Sequence, residues 1–385
     1  MGTKSLADLL GPRIVCNQRR KMTTRDRLRW PRSNVGRNLS TLTLVTMGLI
    51  VLNFGMTPTA GAGNTTLITP GGTAASDVAA ANSATRWIAV PVGTLWVSPG
   101  TIRPVDRLTI ATPVSIRSWI ATMTLGQKEW LVGRIETQAL YGTQVTVTSV
   151  SGKWSHVVVP SQPTPRDRRG YPGWIPTGQL TSRSPEATPS FAIVTSPTTW
   201  VRSASGAVKS NLVMEISYDT RLPVVSSDHS SIEVSLLDGR HGYVLRKNVS
   251  LHAAHKIWSA NRTAVIAESK KFIGLPYLWG GTSGFGYDCS GFTYSVYHVL
   301  GVTIPRDAAP QATKGTPVLR QNLRPGDLVF FRDRTGVVVH VAIFYGSING
   351  VPSVIHAPST GQSVSITPLS SWPGSSYAGA RRYVP

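Results

Sequence analysis

Apolar and polar residues alternate in short runs over residues 86–181, which is the pattern of β-strands with one buried face. The alternation predicts strands over 141–150, 153–159 and 171–175. Ser151-Gly152 supplies the turn between the first two strands, and a loop rich in proline and arginine precedes the third. This spacing of strands and turns predicts a small all-β unit.

The same order of elements returns, in a weaker form, over residues 190–253. Strands are predicted over 220–225 and 231–237, Asp238-Gly239 forms the next turn, and Gly242-Tyr243-Val244 closes the unit. Each unit thus runs strand, turn, strand, turn and a final strand of glycine, an aromatic and an aliphatic residue. The sequence therefore predicts two copies of one small β-barrel.

Three further segments interrupt or join these units. Residues 102–135 form an insertion into the first unit, and we expect it to be partly helical with Trp119 and Trp130 as core anchors. Residues 63–85 consist mainly of glycine, alanine, threonine and serine, and residues 182–189 contain serine, proline and threonine. Both compositions predict linkers.

From residue 254 onwards the apolar spacing becomes that of helices as well as strands. Residues 262–273 place apolar side chains on one helical face. A second helix begins near Cys289, because apolar residues follow at helical spacing as far as Gly301. The strands predicted after it are 328–331, 338–344 and 354–358. The sequence therefore predicts an α+β unit over 254–385.

The N-terminus combines a basic segment with a short apolar one. Residues 1–40 hold ten of the 39 Lys and Arg residues and two of the 18 Asp and Glu residues. An uncharged apolar run follows over 41–56, and small residues end it at Ala60-Gly61-Ala62. This order is that of a secretory signal peptide, which we predict over 1–62. An uncleaved membrane anchor is the alternative that the pattern leaves open.

The rest of the net charge of +21 is scattered along the chain, with local clusters at 166–169 and 381–382. Nucleic-acid-binding surfaces cluster their basic residues and interleave them with aromatic ones, so no nucleic acid is expected as a partner. For an exported chain, the anionic polymers of the cell envelope are the expected polyanion. A cationic surface without a partner explains the charge equally well, and both interpretations stay open.

Composition also limits the kind of site. The two cysteines, Cys16 and Cys289, exclude a disulfide framework and a cysteine-rich metal site. No group of His, Cys and Asp has the spacing of metal ligands, so a zinc hydrolase is disfavoured and no cofactor is expected. No apolar run reaches the ~18–20 residues of a membrane span, which excludes a multispan membrane protein. Cleavage after Ala62 would leave Cys289 as the one thiol.

Cys289 is the candidate nucleophile because it lies at the start of the second predicted helix. Asp288 or Ser290 is a natural cap for that helix, and the helix dipole with its free N–H groups favours a thiolate. The N–H groups of Cys289 and Ser290 are also placed to hold a developing oxyanion. A lone cysteine is more often a buried structural residue. Here the glycine-rich approach and the polar flanks favour the nucleophile.

Two histidines, His340 and His356, supply the base and the orienting group that a cysteine nucleophile needs. They lie on two predicted strands, and adjacent antiparallel strands can place them side by side on the face that meets the Cys289 helix. Either histidine alone is typical of a satisfied core residue. The pair, downstream of a helix-start cysteine, indicates a catalytic site. His298 lies on the Cys289 helix but faces a different direction.

This order of residues strongly resembles the NlpC-type cysteine peptidases, papain-like bacterial enzymes that cut cell-wall peptides. The resemblance covers about residues 255–385. Val339 departs from this resemblance, since the family commonly has glycine at that position. The larger side chain predicts tighter packing beside His340. The six matching blocks are Gly274-Leu-Pro-Tyr-Leu-Trp-Gly-Gly281, Asp288-Cys-Ser-Gly291, Ile304-Pro-Arg-Asp-Ala308, Leu323-Arg-Pro-Gly-Asp327, His340-Val-Ala-Ile343 and Ile355-His-Ala-Pro358.

The resemblance implies a role for each residue of the candidate site. Cys289 attacks the scissile carbonyl, His340 is the general base, and His356 orients His340. The bond that the family usually cleaves joins γ-D-glutamate to a diamino acid in the peptidoglycan stem, so stem peptides are the implied substrate. The residues implied in binding that substrate beside the nucleophile are Asp288, Ser290 and Tyr277, the last of which also helps to hold the oxyanion.

The two β units resemble bacterial SH3-like domains, in which a Gly-Trp-Val-type strand ends the barrel. The implied fold is two small all-β SH3-like barrels, over 86–181 and 190–253, followed by an α+β papain-like catalytic domain over 254–385. This layout looks like the γ-D-glutamyl-L-diamino-acid endopeptidases, whose first barrel walls off the cleft. There an acidic residue and a tyrosine bind the free amine of an N-terminal L-Ala, which implies Glu136 and Tyr171 here. A solvated edge position is the alternative for Glu136.

These observations lead to three functional hypotheses. The first is a secreted or wall-associated cysteine endopeptidase that acts on free stem peptides beginning with L-Ala. The second is the same enzyme acting on intact wall, with the barrels as anchors. The third is a non-catalytic wall-binding protein, against which the intact nucleophile and both histidines argue. In the first two, we expect the Cys289 thiolate to pair with an imidazolium at neutral pH.

Overall fold

A computed structural model describes residues 84–100, 102–206, 211–254, 260–372 and 376–385. The predicted signal peptide and nearly all of the predicted linker that follows it lie outside these residues. In the described part of the chain, no helix has both the length and the apolar character needed to cross a membrane.

Alternating apolar residues bury one face of an antiparallel sheet within residues 84–181. Val145 and Val147 on one strand meet Val157 and Val159 on the next in a common core. The strands of this sheet are β1 (Ala84–Ile88), β2 (Val92–Trp96), β3 (Ile135–Leu140), β4 (Gln144–Ser151), β5 (Trp154–Val159), β6 (Tyr171–Pro176) and β7 (Leu180–Thr181). They lie in the order β3-β2-β6-β5-β4-β1-β7.

Residues 190–253 form a second antiparallel sheet with the same topology. Its strands are β8 (Ser190–Val194), β9 (Thr198–Arg202), β10 (Leu212–Ser217), β11 (Arg221–Ser227), β12 (Ser231–Ser235), β13 (His241–Leu245) and β14 (Val249–Ala253). They lie in the order β10-β9-β13-β12-β11-β8-β14, which repeats the first order strand for strand. The weak repeat in the sequence therefore corresponds to a repeat in the structure. Residues 182–189 between the sheets contain neither helix nor strand.

The predicted elements match the observed ones except at their ends. Gly142 adopts a left-handed φ of 78° in a turn, so the strand predicted from residue 141 begins only at Gln144. The helix predicted over 262–273 ends at Lys270. Strand β3 is not among the predicted strands, because it is buried on both faces and its sequence lacks the strict alternation of a strand with one buried face.

The insertion over 102–135 is partly helical, as its sequence predicts. Trp119 is completely buried, and its indole N–H donates to Oδ1 of Asp106 over 3.0 Å. Trp130 is only partly buried and lies against the guanidinium of Arg103, whose Cζ is 3.9 Å from the ring centroid. The helices of the insertion are α1 (Arg107–Ile110), α2 (Ile116–Thr122) and α3 (Leu125–Glu129).

The described residues after 260 combine helices with an antiparallel sheet. The helices are α4 (Arg262–Lys270), α5 (Cys289–Val299) and α6 (Ala308–Gln311). A two-stranded sheet of β15 (Thr282–Ser283) and β16 (Gly286–Tyr287) precedes α5. The main sheet has the order β17-β22-β18-β19-β20-β21. Its strands are β17 (Thr316–Val318), β18 (Leu328–Arg332), β19 (Val338–Ile348), β20 (Val351–His356), β21 (Ser365–Pro368) and β22 (Tyr377–Arg382). Phe292 and Val296 of α5 pack with Val341 and Ile343 of β19 in one buried core.

Strand β3 of the first sheet docks directly onto the loop that leads to α5. The indole N–H of Trp279 donates to the carbonyl of Ile135 over 3.1 Å. The amide group of Gln138 accepts from the Ser283 hydroxyl over 2.9 Å, and its backbone carbonyl accepts from the Thr282 hydroxyl over 2.9 Å. All three of these loop-to-strand contacts hold the first sheet beside the start of α5.

The second sheet contacts the same domain from another side. The hydroxyl of Tyr218 donates to Glu268 of α4 over 2.6 Å, and the Asp219 carboxylate pairs with Nδ1 of His298. The backbone N–H of Gly284 donates to Ser217 Oγ over 2.8 Å. The approach at Gly284 is so close that an added Cβ would lie 1.8 Å from the carbonyl oxygen of Pro197.

Gly284→Ala is therefore expected to destabilise the protein, because the Pro197 backbone cannot move aside as a flexible side chain would. We expect the free energy of unfolding to fall by about 1–3 kcal/mol, the usual effect of overpacking a close contact, as measured by urea denaturation. Gly126→Ala is the matched control, since a Cβ there meets nothing within 4 Å and the residue lies in α3. Equal stability of the two variants would contradict the close docking.

Candidate active site

The start of α5 is fixed by a side-chain cap. Asp288 has extended backbone angles, and its Oδ1 accepts from the backbone N–H of Gly291 over 2.6 Å. Cys289 is consequently the first residue of the helix, as its sequence context predicts. An added Cβ at Gly291 would lie 2.0 Å from the carbonyl oxygen of Gly281, so the glycine-rich approach packs directly on the helix start.

The Cys289 thiol lies against the strand that carries His340. Burial, followed by the negative charge of Asp288, raises the pKa of Cys289 to about 12. Backbone hydrogen bonds from Val341, the residue after His340 on β19, and from Ser290 reach the sulfur and act in the opposite direction, but more weakly.

The two histidines lie side by side on β19 and β20. Nε2 of His340 and Nδ1 of His356 are 2.9 Å apart, and Nε2 of His356 is 3.1 Å from Thr367 Oγ1. Both side chains are buried. The structure therefore brings His340 and His356 together as the sequence predicts, and adds a third polar group, Thr367, behind them.

Burial also acts on the basicity of this pair. It lowers the pKa of His356 to about 4, and together with the neighbouring His356 it lowers the pKa of His340 to about 3. Burial therefore opposes both charges of the thiolate–imidazolium pair that the sequence predicts, and the sequence does not reveal how deep the site lies. That ion pair stays a prediction.

Trp372 covers the histidine pair, a role that no pattern in the sequence indicates. Its ring stacks on His340 with centroids 4.6 Å apart and planes 16° apart. It also stacks on Phe331 at 4.5 Å and meets His356 edge-on at 6.1 Å. Trp372 follows a short turn of helix outside any predicted strand, so no periodicity marks it. It restrains the rotation of the His340 ring.

Arg306 is the central charged residue of the site, and sequence reasoning assigned it no role although it lies within a matching block. Its side chain is 1% exposed, and its Nη2 lies 2.7 Å from Oδ2 of Asp288. It also donates to Ser290 Oγ over 3.1 Å and to Thr137 Oγ1 over 2.9 Å. One guanidinium therefore ties the helix start to strand β3 of the first sheet.

Glu136 and Tyr171 belong to one cluster, together with two residues that the sequence did not single out. Nη2 of Arg166 donates to the Glu136 carboxylate over 2.8 Å, and Nη1 lies 3.4 Å from the Tyr171 hydroxyl. That hydroxyl donates to Asp307 over 3.1 Å, and burial raises the pKa of Asp307. With 12% of its side chain exposed, Glu136 is not a solvated edge residue.

The other predicted substrate-binding residues lie around the thiol. Tyr277 is buried, and burial followed by the charge of the nearby Cys289 sulfur keeps the pKa of its hydroxyl well above the usual value. Asp288 and Ser290 flank the sulfur and are both bound by Arg306. Val339 does not tighten the packing beside His340, because 51% of it is exposed.

Known proteins share these features. The model of the NlpC/P60 family matches residues 274–382, and the model described as the YKFC SH3b2 domain matches residues 194–251. The γ-D-glutamyl-L-lysine dipeptidyl-peptidase of Bacillus cereus is 43% identical over 310 residues, which are 78% of this chain and 91% of that protein. The chain belongs to the NlpC/P60 family.

A second relative and a solved structure agree with that assignment. The enzyme of the same name from Bacillus subtilis is 35% identical over 282 residues, covering 72% of this chain and 91% of that protein. The crystal structure of an NlpC/P60 family protein from Bacillus cereus superposes with a TM-score of 0.72 at 39% identity. It covers 78% of this chain and 100% of that one.

The raised pKa of the Cys289 thiol predicts how its reactivity changes with pH. In a Cys16→Ser chain, Cys289 is the one thiol, and its raised pKa of about 12 keeps the thiolate fraction small below pH 9. We expect the iodoacetamide alkylation rate to rise steadily with pH through 9. The urea-unfolded chain, with an ordinary thiol pKa of about 8.5, is the control and levels off earlier. A fast rate that stays constant between pH 5 and 8 would instead indicate a thiolate–imidazolium pair.

Proposed function

We propose that this chain hydrolyses the bond between γ-D-glutamate and the following diamino acid in peptidoglycan stem peptides that begin with a free L-Ala. As a member of the NlpC/P60 family, it is a cysteine peptidase. The relatives from both Bacillus species are named γ-D-glutamyl-L-lysine dipeptidyl-peptidases, which supports this bond and a two-residue product. The observation that carries the proposal is the acidic cluster of Glu136, Tyr171 and Asp307 beside the Cys289 helix.

A single arginine connects the acidic cluster to the start of the helix that carries the nucleophile. Arg306 binds Asp288 and Ser290 at the helix start, and the next residue, Asp307, accepts from Tyr171. Carboxylates near a partly buried tyrosine provide strong, selective acceptors for an ammonium group. A substrate held there by its N-terminal amine would present a bond only a short way along its chain to Cys289.

The chemistry follows from the hydrogen bonds around His340. Since Nε2 of His340 faces His356, its Nδ1 is the atom that takes the proton of the Cys289 thiol as sulfur attacks the carbonyl. The N–H groups at the helix start, with Tyr277, hold the oxyanion. His340 then returns the proton to the leaving amine of the diamino acid. Water attacks the thioester in the second step, and the thiol is restored.

Asp288 acts in this scheme mainly by holding other groups in place. Its Oδ1 caps the helix and both of its oxygens accept from Arg306, so the carboxylate fixes where the sulfur and Ser290 lie. Ser290 lines the same wall and offers its N–H to the oxyanion. His356 and Trp372 hold the ring of His340 by a hydrogen bond and by stacking.

We place this activity outside the cell, at or near the wall. Related proteins include probable endopeptidases p60 of Listeria and a murein endopeptidase of Escherichia coli, and the N-terminal pattern predicts export. Binding of the cationic chain to anionic envelope polymers remains a proposal that rests on net charge alone.

The bond and the nucleophile are tested together by mass spectrometry. The purified chain is expected to convert L-Ala-γ-D-Glu-L-Lys into L-Ala-γ-D-Glu and lysine, and Cys289→Ala is expected to lose this activity by at least about a thousandfold. Cleavage at any other bond, or full activity in Cys289→Ala, would contradict the proposed function.

The role of the acidic cluster is tested with Glu136→Gln. Losing a charged partner for a buried ammonium costs about 1.5–3 kcal/mol, so KM for the free-amine tripeptide is expected to rise roughly ten- to hundredfold. Hydrolysis of the N-acetylated tripeptide is expected to stay unchanged, because that peptide has no ammonium. Glu129→Gln, an exposed position in the insertion, is the control. Equal effects of Glu136→Gln on both peptides would favour the alternative, in which intact wall is the substrate.

A further inference from the structure

Arg166 occupies the acidic cluster in the way that a substrate cation would. Its two terminal nitrogens both donate to the Glu136 carboxylate, and Nη1 also lies 3.4 Å from the Tyr171 hydroxyl. Its Cζ lies 5.3 Å from the centre of the Tyr171 ring. The same carboxylate and hydroxyl are those proposed to hold the N-terminal ammonium of the peptide, and both cations cannot use them at once.

The two partners of this ion pair differ in exposure. The Glu136 side chain is 12% exposed, whereas that of Arg166 is 45% exposed. A carboxylate with so little access to water requires a cation beside it, but the guanidinium can return to solvent at little cost. Ion pairs at exposed positions contribute only about 0.2–1 kcal/mol, and the Arg166 side of this pair is at such a position. The carboxylate is therefore the fixed half of the pair, and the arginine is the exchangeable half.

The loop that carries Arg166 is itself held in place. The carbonyl of Pro163 accepts from the backbone N–H of Arg306 over 3.0 Å, and Pro165 restricts the backbone directly before Arg166. Thr164 and Asp167 pair across the turn. Rotation of the Arg166 side chain is sufficient to uncover the cluster, and the loop need not move.

We propose that Arg166 is a built-in substitute for the substrate ammonium, which a peptide with a free N-terminus displaces on binding. This inference rests on the proposed function for the identity of the arriving cation. One cation replaces another, so Glu136 is never left unpaired. A peptide with a blocked amine cannot make this exchange, and Arg166 thereby adds a barrier to stems that are still acylated at L-Ala. The same competition weakens the binding of correct peptides.

The test measures binding separately from cleavage. The dipeptide L-Ala-γ-D-Glu and its N-acetyl form, which lack the scissile bond, are titrated by calorimetry into the unaltered chain and into Arg166→Gln. The control is Arg168→Gln, which removes the same charge from an exposed position of the same loop. We expect the free-amine dipeptide to bind Arg166→Gln roughly two- to fivefold more tightly than the unaltered chain, the range set by an exposed pair. The acetylated form should show no such gain, and Arg168→Gln should match the unaltered chain.

Each other outcome rejects the inference in a distinguishable way. Weaker binding to Arg166→Gln would mean that Arg166 positions Glu136 rather than competing for it. Equal gains in both arginine variants would indicate a general charge effect. No binding of the dipeptide to any of the three proteins would overturn the inference directly. Tripeptide hydrolysis, measured in parallel, separates the two proposals: tighter dipeptide binding without hydrolysis would reject the proposed function alone.

Discussion

The buried ion pair between Arg306 and Asp288 is the contact on which the geometry of the site depends. Asp288 caps the helix that begins with Cys289, and Arg306 holds Asp288 while also binding Thr137 on the first sheet. Removing one partner of such a pair leaves a buried charge uncompensated, at a cost of about 3–5 kcal/mol. This guanidinium thus links the position of the nucleophile to the docking of the first sheet, which the contacts of Trp279, Thr282 and Ser283 with β3 also hold. Asp307 follows it directly, so the acidic cluster shares the same anchor.

The two ends of the site use burial in opposite ways. Around Cys289 and His340, burial raises the pKa of the thiol and lowers the pKa of the imidazole, so it opposes both charges. Around Glu136, the largely buried carboxylate is paired with the guanidinium of Arg166. In the proposed function, the chemistry takes place where burial disfavours charge, whereas recognition takes place through exchange of charged partners. The first sheet carries Glu136 on β3 and Tyr171 on β6, so it supplies most of the proposed recognition side.

Much of this arrangement is encoded locally, and that part was predictable. The cap at Asp288, the place of Cys289 and the pairing of His340 with His356 follow from short-range patterns and from the order of matching blocks. The contacts of Arg306, Asp307 and Trp372 join residues far apart in the chain, and no spacing reveals such contacts. Strand β3 is not predicted because it is buried on both faces and so lacks a strict alternation of apolar and polar residues. The depth of burial, which raises the pKa of Cys289, is likewise not visible in the sequence.

In the proposed function, one peptide bridges the acidic cluster and the sulfur position. A crystal structure of Cys289→Ala with bound L-Ala-γ-D-Glu-L-Lys is the sharpest test. We expect the peptide ammonium within about 3 Å of the Glu136 carboxylate, with Arg166 turned to solvent and the γ-glutamyl carbonyl over residue 289. A peptide whose N-terminus points away from Glu136, or whose γ-glutamyl carbonyl lies out of reach of residue 289, would contradict it.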